Sequence, residues 1–162
     1  MTIVNFVFPG MKKIVVIMLC ALSALCAKAV DFSFRDAEGN NLVASGYATD
    51  YRLVFVYNSG CDLCSKAARQ IEESSTVSFL IESNRLTVIS IALFEVDDAW
   101  MRKAATFPQS WVNGVDAFDE IIEGEVFDFE TVPAYYLLDR NGDVIFQNVS
   151  FTAMDDFLGQ RR

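Results

Sequence analysis

Two apolar runs of strand length, YRLVFVYN at 51–58 and RLTVISIAL at 85–93, bracket a segment with helical character. The second run is almost continuously apolar, as a central strand buried on both faces would be. Between them, CSKAARQIEES carries good helix formers, with Ala68 and Ile71 at helical spacing, and a further helical stretch is expected over 76–83. A strand, a helical crossover and a second strand in one sheet require a parallel pair joined right-handedly. That unit excludes an all-helical bundle and an all-antiparallel sandwich, and the rest of the chain must add to it.

The additions are readable in turn. Residues 31–36, the turn 38–41 and residues 42–45 read as an N-terminal β-hairpin. Residues 95–130 are less regular, with a helix expected near 97–106, a break around Pro108 and a short helix near 117–122. AYYLLD at 134–139 and DVIFQN at 143–148 flank Arg140-Asn141-Gly142, and Asn-Gly between two such runs is a strong hairpin signal. TAMDDFLGQ closes the chain as a terminal helix. The expected class is α/β, a mixed central β-sheet flanked by helices.

The first 29 residues do not belong to this fold. From Met11 the chain reads MKKIVVIMLCALSALCAKA, with a basic start, an apolar run from Ile14 to Ala27, and the small residues Ala27 and Ala29 at its end. This is the pattern of a secretory signal peptide cut after Ala29, and the run is shorter than the ~20 residues a membrane anchor needs. The ten residues before Met11 carry no charge and break at Pro9-Gly10, which leaves Met11 as an alternative start. Residues 30–162 form one expected domain. Three lysines leave with the signal, reducing 13 basic residues to 10 against 22 acidic ones, a formal charge of −12. Such a balance repels nucleic acid and anionic membrane surfaces.

Two of the four cysteines also leave with the signal, so the mature chain keeps only Cys61 and Cys64, in CDLC. Three roles are open to that pair. A zinc site normally takes four Cys or His ligands, and this chain has no histidine and no second cysteine pair. A structural staple gains little from so short a loop, because the entropic benefit grows with loop length. A redox couple suits the placement best. At a helix N-terminus the free backbone N–H groups and the helix dipole favour a Cys61 thiolate, with Cys64 one turn later as the resolving thiol. Asp62 works against that thiolate by adding a negative charge beside it. A less stable reduced form means a lower potential, which points to a reductase or isomerase rather than a strong oxidant.

CDLC after an apolar strand, followed some 70 residues later by ETVPAYYLLDRNGDVIF at 130–146, resembles the thioredoxin-like superfamily. Within it the chain is similar to TlpA-like proteins and related exported proteins of Bacteroides-type bacteria, over roughly residues 50–150. The resemblance implies a thioredoxin-like fold and a cis peptide at Val132-Pro133 facing the cysteines. The Val132 backbone would there pair with an extended substrate strand. It implies disulfide-bearing client proteins, a membrane thiol-disulfide electron donor, a periplasmic location and no cofactor. The chain departs from the family in having Asn58-Ser59-Gly60 where a tryptophan usually precedes the motif, and no proline in the helix after Cys64. Ala67 also stands where TlpA-like proteins often place a glutamate; Asp62 or Glu95 is a candidate substitute as proton acceptor for Cys64, though a solvated acid is the simpler reading of each. The rival reading is a non-catalytic binding module with its disulfide locked. A metal carrier suffers from the missing histidine. Trp100 and Trp111 read as packing anchors, with a peptide groove as the alternative, and the acidic stretch from Asp116 to Glu130 as a solvated face able to select basic partners.

Overall fold

The computed structural model describes residues 29–93, 97–124 and 126–162. The expected signal peptide therefore lies outside the described residues except at its last position, and so does Glu95. Seven strands form one sheet: β1 (Ser33–Arg35), β2 (Asn41–Val43), β3 (Tyr51–Tyr57), β4 (Leu86–Ala92), β5 (Val112–Val115), β6 (Ala134–Asp139) and β7 (Val144–Gln147). Their order is β2-β1-β5-β4-β3-β6-β7. The helices are α1 (Asp62–Glu73), α2 (Ser75–Glu82), α3 (Asp98–Ala104) and α4 (Phe151–Gly159).

The two apolar runs are the centre of the sheet. β3 pairs in parallel with β4 from Tyr51↔Leu86 to Tyr57↔Ala92, and β4 with β5 from Ile89↔Val112 to Ala92↔Val115. β6 lies antiparallel on the other side of β3, and β7 antiparallel on β6. Successive side chains of a strand point to opposite faces, and the core divides accordingly. Leu53, Phe55, Tyr57, Val88, Tyr135 and Leu137 meet Cys64, Ala68, Ile71, Leu80, Trp100 and Leu158, so all four helices pack on that face. Val54, Val56, Ile89, Ile91 and Tyr136 meet Phe32, Phe34, Ile121 and Phe127 on the other. Burying a side chain such as Phe55 completely stabilises the fold by about 1.5–3 kcal/mol. The class is the expected α/β, with a mixed sheet flanked by helices.

Each helix start follows from a capping residue. Ser74 Oγ accepts from Val77 N at 3.1 Å and donates to Asp155 Oδ1 at 2.5 Å, so one hydroxyl opens α2 and ties it to α4. Asp97 accepts from Trp100 N at 2.6 Å to open α3. In the β6–β7 hairpin, Asp139 Oδ1 accepts from Asn141 N at 2.8 Å and Asp143 N at 2.9 Å, while Gly142 takes a φ of +92°. A Cβ at Gly142 would lie 2.7 Å from Val30 O, so glycine is required there on two counts.

Three features differ from the expectation. The short helix near 117–122 is a series of turns. Asp116 Oδ2 accepts from Ile121 N at 3.0 Å and Ile122 N at 2.9 Å, and a side chain that takes backbone donors in this way competes with helix formation. For the same reason Asp116 is not part of a solvated face: it is 3% exposed, and burial raises its carboxyl above the usual range. The strand β5 was not anticipated, since Asn113 and Gly114 are poor strand formers. Gly114 is there because β1 crosses so closely that a Cβ would collide with the Phe34 ring. Trp100 and Trp111 are buried at 1% and 6% exposure, as packing anchors would be.

Candidate active site

The chain leaves β3 at Tyr57 and turns through Asn58-Ser59-Gly60. Asn58 organises the turn: its side-chain oxygen accepts from Gly60 N at 3.2 Å and its carbonyl from Cys61 N at 3.1 Å. Cys61 is the N-cap of α1, and its sulfur accepts from Cys64 N at 3.0 Å. A helix N-terminus leaves such backbone donors unpaired, and here a sulfur takes one of them. Cys61 and Cys64 form a disulfide, with Cα atoms 5.2 Å apart. The two cysteines differ in exposure. Cys61 is half-buried, whereas Cys64 is fully buried with Ala67, Ala68 and Ile71 along the inner face of α1.

The Val132-Pro133 peptide bond is cis. Sheet register brings it to the same end of the sheet as the cysteines. Val56 pairs with Ala134, so Pro133 comes alongside Tyr57, four residues before Cys61. Val132 and Cys61 pack against the same core cluster. Among the described residues, no backbone–backbone hydrogen bond outside the regular elements engages Val132. A cavity of about 320 Å³ opens beside it, lined by Glu130, Thr131, Pro133, Tyr135, Asn148 and Ser150.

Asp62, the first residue of α1, is exposed and is the acid in the first turn. Beneath the motif lies an aromatic floor. Phe55 and Tyr57 stack at 5.4 Å, Phe107 meets Tyr57 edge-on at 5.2 Å, and Trp111 meets Phe107 at 5.3 Å. The Tyr57 side chain is fully buried, and burial raises its pKa well above that of a free tyrosine. Sequence reasoning missed a polar contact at this site. Lys103 Nζ of α3 donates to Ser65 Oγ at 2.6 Å, and Ser65 Oγ donates to Cys61 O at 3.3 Å. The partners are 38 residues apart in sequence, so no local signal could have joined them. Among the described residues no group of three or more Cys, His, Asp or Glu is placed to hold a metal ion, and no helix is long and apolar enough to cross a membrane.

No family model matches the sequence, and no curated protein does either. Solved structures do. A thioredoxin-like protein from Bacteroides caccae is 26% identical with a TM-score of 0.78, covering 96% of this chain. This chain spans only 57% of that protein's length. The C-terminal domain of an uncharacterized protein from Bacteroides fragilis is also 26% identical, with a TM-score of 0.75 over 82% of this chain and 95% of that one. The thioredoxin domain of a thiol-disulfide oxidoreductase from Bacteroides vulgatus is 16% identical, with a TM-score of 0.69 over 85% and 99% of the two chains, a likeness of fold. With this sheet order, this placement of its paired cysteines and these structural neighbours, the chain has a thioredoxin-like fold.

Proposed function

We propose that the protein is an exported thiol-disulfide oxidoreductase, acting as a reductase or isomerase on disulfide-bearing client proteins. The observation that carries this reading is the difference between the two cysteines: Cys61 is partly exposed at the mouth of α1, and Cys64 is fully buried behind it. In the reduced protein the Cys61 thiolate attacks one sulfur of a client disulfide, forming a mixed disulfide and releasing the other client sulfur as thiolate. Cys64 then gives up its proton and attacks Cys61 Sγ. The Cys61–Cys64 disulfide forms, the second client sulfur leaves, and two electrons have passed to the client. A membrane thiol-disulfide electron donor returns two electrons to the pair.

Support for substrate docking comes from Val132 and Pro133. Backbone groups of Val132 that the fold leaves free can pair with an extended client segment, in the manner of strand addition. The signal-peptide pattern ending at Ala29 supports export, and the domain then runs over 30–162 in the periplasm. Mass spectrometry of envelope protein should find a chain beginning near Val30; an intact Met1 or Met11 terminus contradicts export.

Equilibration with glutathione tests the redox role itself. A working couple exchanges with the buffer and reaches a defined reduction potential. A disulfide that stays closed under strongly reducing conditions, with the protein still folded, identifies a locked binding module instead.

A further inference from the structure

Lys103 is placed unusually for a chain so rich in acids. Among the described residues the ion pairs join Asp50 to Arg85 and Arg140, and no carboxylate pairs with Lys103. The lysine is half-buried instead, with Nζ 5.7 Å from the centroid of the Phe107 ring and 2.6 Å from Ser65 Oγ. Ser65 follows Cys61 by four residues, so both lie on one side of the first turn of α1, where such neighbours have Cβ atoms about 5–6 Å apart. The hydroxyl can serve both partners at once. It accepts from the ammonium and donates to Cys61 O at 3.3 Å, while Ser65 N donates to the same carbonyl at 3.1 Å.

We propose that Lys103 is a positioning charge for the redox reaction: held by Ser65, its ammonium stabilises the Cys61 thiolate of the reduced protein and raises the reduction potential. This rests on the dithiol reading of Cys61 given above. It supplies the cation that the sequence, lacking any histidine, does not advertise. The other charged groups on the elements around Cys61 are Asp62, Lys66, Arg69, Glu72 and Glu73 of α1, Asp98 and Arg102 of α3, and Glu130 ahead of β6, all of them exposed to solvent. Water screens these more than it screens a charge held against a helix and an aromatic ring. Lys103 and Cys61 are both partly exposed, so the dielectric between them lies nearer to water's than to a core's. One unit charge at a separation of roughly one helical turn then changes the thiolate fraction about three- to tenfold.

The test uses the wild type and the Lys103→Met, Lys103→Arg and Ser65→Ala variants, with far-ultraviolet circular dichroism confirming the fold of each. Thiolate absorbance is titrated against pH, and each protein is equilibrated with glutathione. Lys103→Met should move the Cys61 titration to higher pH. It should cut alkylation of Cys61 at neutral pH about three- to tenfold and shift the glutathione equilibrium toward the disulfide by a similar factor. Lys103→Arg should restore wild-type behaviour, and Ser65→Ala should shift both readouts in the Met direction by less. A folded Lys103→Met protein with an unchanged titration and equilibrium overturns the proposal, as does an Arg variant that behaves like the Met variant. A wild-type protein that does not exchange with glutathione overturns the dithiol reading itself, which separates the two failures.

Discussion

Cys64 donates its backbone N–H to the sulfur of Cys61 at 3.0 Å, so the second cysteine of the motif supports the first before any thiol chemistry occurs. A thiolate at Cys61 would keep that donor, and charge-assisted hydrogen bonds are the stronger kind. Asp62, between the two, pulls the other way by its charge.

Replacing Asp62 therefore tests the balance. We predict a wild-type reduction potential nearer about −270 mV than −120 mV, in the range of thioredoxin rather than of a strong oxidant. Asp62→His should raise the potential and lower the pH at which Cys61 titrates, because a repulsive charge gives way to a polar or cationic partner. Redox equilibration and thiolate absorbance read both effects. A wild-type value at the oxidising end, or no shift in the mutant, would withdraw the reductase assignment.

Asp116 predicts a pH signature of stability. Burial raises its folded carboxyl above the unfolded value, so the native state holds the proton more tightly. Its contribution is most favourable below the unfolded pKa and falls as pH rises through the folded one. Asp116→Asn removes that slope while keeping an acceptor for Ile121 and Ile122 N–H. Asp116→Ala leaves both donors unmet and should cost about 1–3 kcal/mol or more. Urea unfolding at several pH values compares the three proteins; an alanine variant as stable as the asparagine one would refute this account of the turn.

Gly114 predicts a purely steric effect. A methyl group there meets the Phe34 ring and lies 3.0 Å from Arg35 O, where β1 joins β5 through the single pair Arg35↔Val115. Gly114→Ala should destabilise the fold by about 1–3 kcal/mol through overpacking. Hydrogen exchange should locate the loosening in β1 and β2 while β3 and β4 stay protected. Uniform protection at wild-type stability would show that Phe34 yields without cost.

These contrasts explain what the sequence made legible. β3, β4 and α1 could be read directly, because continuous apolar runs and a helical stretch with a motif at its mouth are local signals. β5 could not: Val112-Asn113-Gly114-Val115 has little strand propensity, and its pairing with Ile89–Ala92 supplies the conformation. The expected helix at 117–122 failed because Asp116, which reads as an ordinary surface acid, turns inward and takes the backbone donors. At the site, Cys61, Cys64 and Pro133 were legible as motifs. The link from Lys103 to Ser65 exists only once α3 has packed against α1, and no periodicity records it.

The central claim is a division of labour between an attacking and a resolving cysteine, and trapping tests it most directly. Cys64→Ser and Cys61→Ser variants are reduced, exposed to envelope extract containing disulfide-bonded proteins, quenched with acid, and resolved on diagonal gels. The account predicts that Cys64→Ser accumulates mixed disulfides, mapped by mass spectrometry to Cys61, whereas Cys61→Ser accumulates none and has lost reductase activity. Equal trapping by both variants, or adducts mapped to Cys64 in the Cys61→Ser protein, would contradict it.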